Sequence, residues 1–391
     1  MKVGATLPYI VSPAPGRVDK LDSQSLGVAA VEDLSLIGAK LVEVPVEQNQ
    51  AFLERAAQRG WKVSADRVVS IPETGELAKG EPVDPSLPRL DLDVATRLLG
   101  VRELHQAGIT GQGVGVAVLD TGVDQHADLK GRIVAFHDEI NGRSEAYDDH
   151  GHGTHVSGTV GGTGVSSMGF YQGVAPEANV IGVKVLSGQG YGTISGIIKG
   201  IQWCLEHKDE HNIKVMNLSL GASVSESADD DPLVAAIQAA ARGGILPVVA
   251  AGNSGPFGHT IGTPGNAPLA LTVGALNDSN TPWKFDDGIA WFSSRGPTPI
   301  DEYAKPDVVA PGAGITAPKA GGGYTRMSGT SMASPMVAGV AALLAQAHPE
   351  ATPDELKGAL VDTAERIWGW GAKSQGHGRI EPGKAEQALR G

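Results

Sequence analysis

The segment GHGTHVSGTVGG, residues 151–162, constrains this chain more than any other stretch, because it reads as a helix packed deep in a core with a histidine at its start. Ser157, Gly158, Thr159 and Gly161 are small enough for neighbouring elements to approach closely. His152 stands between Gly151 and Gly153, where another chain can reach the ring. A histidine of ordinary pKa in such a place reads first as a general base. One histidine does not establish chemistry, since most are surface or hydrogen-bonded core residues. Its partners decide the question.

Short apolar runs supply the core that this helix needs. Val114, Val116, Val118 and Leu119 form a nearly continuous run, as in a strand buried on both faces of a parallel sheet. Further strands are predicted over 180–186, 213–220, 245–250 and 269–274. Between them, Ile194, Ile197, Ile198 and Ile201 share one helical face, and 233–241 forms a second helix. This alternation predicts an α/β fold, a doubly wound, mostly parallel sheet with helices on both faces. A helix over 94–107 leads into it. Near the end, Thr352-Pro-Asp-Glu355 is a capping box with proline at the first helical position.

A smaller unit precedes this one. Residues 36–45 alternate as a strand, and 51–59 read as a helix with Phe52, Leu53 and Ala56 on one side, stopped by Gly60. Residues 61–71 return as extended chain, so the order is compatible with a small α/β domain. Residues 1–35, with Pro13, Pro15 and Gly16, yield no assignable element. From 72 to 88 the composition turns to proline, glycine and acids, the signature of a linker. The expected organisation is a unit over 1–75, a linker over 76–95 and a large domain over 96–391.

Composition narrows the partners. The apolar fraction of 41% with 54 glycines describes a globular chain rich in tight turns. A formal charge of −13 argues against a general nucleic-acid binder, which normally carries a basic face. Cys204 is the single cysteine, so no intramolecular disulfide forms. No apolar run reaches membrane-spanning length, and the N-terminus lacks the apolar stretch of a secretory signal. The expectation is a cytoplasmic monomer with no nucleic-acid or membrane partner. Secretion is the alternative if a leader has been removed.

Function in an open α/β sheet concentrates at the carboxyl ends of strands. Asp120 stands there, after VAVL; it is either a turn-starting aspartate or the carboxylate that orients His152. Ser331 lies in GTSMASP before a long run of small and apolar residues, where a helix N-terminus favours developing negative charge. Ser334, next to Pro335, is the more ordinary helix cap. Asn253 in AAGNSG is a turn residue or an amide donor to an oxyanion.

The order Asp, His, Asn, Ser in VAVLDTG, GHGTHVSGT, AAGNSG and GTSMASPMVAG, with VMNLSLG between them, resembles the subtilisin-like serine protease family (subtilases, peptidase family S8). The resemblance covers roughly 111–391. YDDHGHGTH, GVKVLSGQGYGT, WFSSRGPT and KPDVVAPG carry it towards the AprX-like bacterial alkaline serine proteases. It implies a serine endopeptidase in which Asp120 orients, His152 is the base and Ser331 the nucleophile. Asn253 and the Ser331 N–H would form the oxyanion hole. Gly190, Tyr191 and Gly192, with Ser219, Leu220 and Gly221, look like the two segments that bind a polypeptide substrate as an added strand. Ser219–Gly221, Ala250, Ala251, Gly252 and Gly262 resemble a pocket for a large apolar P1 side chain. GAKLVEVPVEQNQAFLERAAQRGWKVSADRVVSI resembles part of a prodomain, which implies a self-processing precursor inhibited by its own N-terminal unit.

No cofactor is expected for this chemistry. His150, His152 and His155 invite a zinc reading, but H-E-x-x-H is missing and a metal-bound His152 could not serve as base. His155 reads as a packed helix residue. The resemblance leaves room for structural calcium. Asp138, Glu139, Glu145, Asp148, Asp149 and Asp124 are the acids to consider, with no ligand set assigned. An esterase would need a G-x-S-x-G elbow with serine first in the chain. An inactive binding relative would lack one of the four site residues, and all are present.

Overall fold

The computed structural model describes residues 5–13, 21–28, 30–72, 81–82 and 91–391. Strand Gly115–Asp120 runs through the middle of the main sheet and is buried along its whole length. Its side chains alternate. Val116 and Val118 join the apolar core on one face, Ala117 and Leu119 the core on the other, which is why the run carries no polar residue before Asp120. Parallel neighbours are Asn179–Lys184 and then Ile133–Asp138 on one side. On the other lie Ile213–Leu218, Leu246–Ala250, Leu271–Asn277 and Val308–Pro311. The short strand Gly288–Ile289 adds an antiparallel edge.

Helices His152–Gly161 and Thr330–Ala347 cover one face, Ile194–Glu206 and Pro232–Arg242 the other. The doubly wound α/β architecture is therefore present. Helix Thr330–Ala347 is apolar enough over its 18 residues to cross a membrane, but it is 89% buried inside the fold. Helix Pro353–Asp362 opens on the capping box of Thr352 and Glu355.

The expected helix over 94–107 is two helices, Asp91–Leu98 and Val101–Gln106, divided at Gly100, whose φ of 70° breaks the helical path. The expected linker over 76–95 is corrected at both of its described parts. Leu92, Val94 and Ala95 are buried in the first of these helices, because an apolar stripe with Asp93 paired to Arg97 and Arg102 favours packing over solvation. Glu81–Pro82 pairs as a short strand with Tyr324–Met327. Residues 76–80 and 83–90 lie outside the described residues.

Ahead of the main sheet, strands Ala30–Leu34, Ala39–Pro45, Thr6–Ser12 and Lys62–Ala65 make an antiparallel sheet in that spatial order. Helix Asn49–Arg59 lies on it, with Phe52 and Ala56 buried against Val11, Val42 and Val44. Residues 36 and 37, expected to begin a strand, belong to the 3₁₀ turn Ser35–Ile37, which closes on Gly38 at φ 65°. The opposite face, through Ile10, Leu34 and Ala39, packs into the same cluster as Ile197, Ile198 and Ile237. Past Ala65 the chain leaves this sheet, and Val68–Ser70 pairs antiparallel with Tyr191–Thr193.

Candidate active site

Asp120 is the last residue of its strand and fully buried, with Thr121 N donating to its Oδ1 at 2.7 Å. His152 begins the helix His152–Gly161, and its Nδ1 lies 2.8 Å and 3.0 Å from the two Asp120 carboxylate oxygens. Two glycines permit this approach. Gly151 has φ 101°, a conformation that L side chains rarely adopt, and a Cβ on Gly153 would stand 2.1 Å from Gly122 O.

Asp148 ties the two elements together. Its carboxylate accepts from Thr121 Oγ1 at 2.9 Å, Gly151 N at 2.8 Å, Thr154 N at 2.8 Å and Thr154 Oγ1 at 2.7 Å. Burial alone would raise its pKa, but these donors outweigh it and hold the carboxyl below the ordinary 3.8. Thr121 Oγ1 in turn accepts from Gly153 N at 2.9 Å, so the residue after Asp120 is pinned to the residue after His152. The sequence considered Asp148 only among acids for calcium and passed over Thr121. Their signal was proximity to Asp120 and His152 in DTG and DDHGHGTH.

Ser331 is the second residue of helix Thr330–Ala347 and is 2% exposed. The expected cap, Ser334, lies inside that helix, whose N-cap is Gly329. Pro335 sits inside it too and has no N–H for the carbonyl of Ser331. Ser219 Oγ supplies the missing donor at 2.9 Å. The Ser331 hydroxyl donates to Ser219 O at 3.3 Å. His152 Nε2 is buried and has no hydrogen-bond partner among the described residues.

Asn253 is aimed by Thr330, which the sequence did not single out. Thr330 N and Oγ1 both donate to Asn253 Oδ1 at 2.9 Å, leaving Nδ2 to point the other way. It donates at 2.8 Å to the carbonyl of Pro72. Pro72 lies two residues past strand Val68–Ser70 of the N-terminal unit, which enters the site. Ser70 and Gly221 exchange both backbone bonds, and Ile71 N donates to Gly190 O at 3.2 Å. Gly190, Tyr191, Gly192 and Gly221 thus flank an extended segment from both sides.

Beside Pro72 opens a pocket of about 490 Å³. Leu220, Gly221, Ala250, Ala251, Gly252 and Gly262 line it, together with Val224, His259 and Ile261, which the sequence did not pick out. Ser219 does not line it. It is buried behind, bonded to Ser331 and Ser334.

The acids considered for calcium do not form a ligand set. Asp138 accepts from the backbone of Ile140, Asn141 and Arg143 and from Tyr147 OH. Glu139 meets His137, Asp149 meets the buried Lys184, and Asp124 accepts from Gly321 N. Among the described residues no group of three or more histidine, cysteine or acidic side chains is placed to hold a metal. His155 is buried with Nε2 3.0 Å from Ile315 O, and burial lowers its pKa to about 3. It is a neutral core residue.

The arrangement offers a buried carboxylate–imidazole pair, a hydroxyl at a helix N-terminus, an amide donor and an extended peptide across them. The model of the subtilase family matches residues 111–380. Among similar proteins, "Serine protease AprX" of Bacillus subtilis (strain 168) is 46% identical, over 70% of this chain and 67% of its own length. "Alkaline elastase YaB" of Bacillus sp. (strain YaB) is 39% identical over 77% of this chain and 70% of its own. "Subtilisin E" of Bacillus subtilis (strain 168) is 39% identical over 67% of this chain and 63% of its own.

Proposed function

Because this chain belongs to the subtilase family and is a serine endopeptidase, we propose that Asp120, His152 and Ser331 are its catalytic triad. Asp120 accepts the Nδ1 proton of His152 and so leaves Nε2 as the base. Nε2 takes the Ser331 proton as Oγ attacks a peptide carbonyl. The oxyanion forms between Asn253 Nδ2 and Ser331 N, at the positive end of a long helix. His152 then protonates the leaving amine, and water repeats the cycle on the acyl-enzyme. The reaction needs no cofactor.

The observation that carries this reading is the Pro72 carbonyl 2.8 Å from Asn253 Nδ2, just past an extended segment held by Gly190 and Gly221. A peptide added as a strand is recognised through backbone groups, which suits broad sequence tolerance. The adjoining pocket suits a large apolar P1 side chain such as Phe, Tyr or Leu. The N-terminal unit is read as a prodomain whose last strand fills the substrate site until the chain cuts itself between residues 71 and 98. Intact mass over time tests this. Wild-type chain is expected to lose the N-terminal unit while Ser331→Ala stays full length. An S331A chain that processes like wild type, or that still hydrolyses casein at the wild-type rate, refutes the assignment of Ser331. A pool of peptide substrates is expected to be cut after Phe, Tyr and Leu in preference to Asp and Glu.

A further inference from the structure

We propose that Pro72 is a brake on the chain's own cleavage: it presents its carbonyl to the site through Asn253, yet withholds a hydrogen bond that any other residue there would make. The inference rests on Ser331 being the nucleophile. Ser70 N donates to Gly221 O at 3.1 Å and Gly221 N to Ser70 O at 2.9 Å. In antiparallel pairing such doubly bonded pairs recur every second residue, one chain advancing as the other recedes. The next pair in this register is therefore residue 72 with residue 219. An N–H at position 72 would be directed at Ser219 O, and proline has none.

Ser219 O takes its hydrogen bond from elsewhere, from Ser331 Oγ at 3.3 Å. That hydroxyl proton is the one His152 Nε2 must receive, and Nε2 has no partner among the described residues. The vacated ladder position and the diverted hydroxyl are thus one feature. A second follows from shape. Pro72 borders the pocket of about 490 Å³ without a side chain long enough to fill it. The strand is held up to Ile71 and by the Pro72 carbonyl, while two contacts that a cleaved substrate gains are not made.

The reaction being slowed is ordinary acyl transfer. Ser331 Oγ adds to the Pro72 carbonyl carbon and its proton passes to His152. The bond to the Glu73 nitrogen breaks as that nitrogen takes the proton. Water then hydrolyses the Pro72 ester, leaving a carboxylate on Pro72 and a serine hydroxyl. Interactions that strengthen in this transition state raise the rate, and the two missing ones lower it.

The test follows the first cut in full-length wild type, Pro72→Ala and Pro72→Leu by intact mass. P72A restores the N–H alone; P72L also fills the pocket. Wild type is expected to be cut first after residue 72. P72A should be cut at the same bond roughly tenfold faster, as for one added hydrogen bond, and P72L faster again. Equal rates for wild type and P72A, or a first wild-type cut at another bond, would overturn the brake. So would three uncut chains that each hydrolyse added casein. Failure of the underlying reading looks different: Ser331→Ala, run beside the three, would be cut at the wild-type rate, and Ser331 would not be the nucleophile.

Discussion

The main sheet is covered on both faces by its own helices, whereas the N-terminal sheet keeps one face and lends the other. Its private core is a small cluster around Phe52, Trp61 and Val42, and Ile10, Leu34 and Ala39 belong to its neighbour's core. Val69, Leu36, Ile37 and Ile71 add to that apolar contact, and polar pairs border it. Arg67 lies 3.5 Å from Glu226 and 3.7 Å from Asp231, and Lys62 lies 2.5 Å from Asp230. Asp66 accepts from Ser195 N and Oγ at 2.8 Å and 2.7 Å, at the N-terminus of helix Ile194–Glu206, where a carboxylate meets the positive helix end. Asp120, His152 and Ser331, by contrast, are buried and bond to groups of the main sheet and its helices. The N-terminal unit thus meets the main domain through a mixed, partly polar interface, of the kind found between domains that move relative to one another.

If the main domain carries the chemistry, its substitutions should cost most. Ser331→Ala and His152→Ala should each lower kcat by about 10⁶, the size such losses have in subtilisin, with the double variant little worse. A strictly additive double variant would break the account of one unit. Asn253→Ala should lower kcat by roughly 10²–10³, again the subtilisin scale, with KM nearly unchanged. An effect confined to KM would remove Asn253 from the oxyanion site.

The buried half should also respond to acid. His155 is held neutral in the fold to about pH 3, while its ordinary pKa is 6.5. Between those values the unfolded chain binds a proton that the native chain refuses, so stability falls as pH drops from 6.5 towards 3. The full effect is of order a few kcal/mol. Urea unfolding at several pH values checks it, and His155→Gln should flatten the slope. An unchanged slope would mean that other groups dominate acid unfolding.

Smaller effects sharpen the contrast. Thr330→Val leaves Asn253 Oδ1 with one donor instead of two and should lower kcat roughly tenfold. Arg67→Ala removes the contacts of the N-terminal unit with Glu226 and Asp231. It should speed release of the cut N-terminal unit several-fold, and salt should mimic it. Release that ignores both would mean the apolar face alone holds the two halves together.

How much of this was readable in the sequence follows the same division. Asp120, His152, Asn253 and Ser331 stand in local patterns at strand ends and helix starts, so periodicity and motif located them. Thr121, Asp148 and Thr330 lie within the same motifs, but their work is done across space, through bonds to backbone of another element. The strand Thr6–Ser12 sits in the middle of the N-terminal sheet, beside a proline-rich stretch that hid it. Residues 70–72 were the least legible. Their partners Gly221, Gly190 and Asn253 lie more than a hundred residues away, so local composition reported only extended chain running into a linker. The helix cap was misread at Ser334 because serine before proline usually opens a helix. Here Ser219, distant in sequence, lets proline sit inside one.

The most direct test of the account is the rate at which a fluorophosphonate labels Ser331, measured before and after loss of the N-terminal unit. Peptide mapping locates the adduct. The account predicts a single adduct on Ser331, formed slowly in the intact chain, quickly in the processed enzyme, and not at all in His152→Ala. Labelling of Ser331 at one rate in both forms would contradict occupancy of the site by residues 70–72. An active, processed enzyme that carries no adduct on Ser331 would contradict the triad itself.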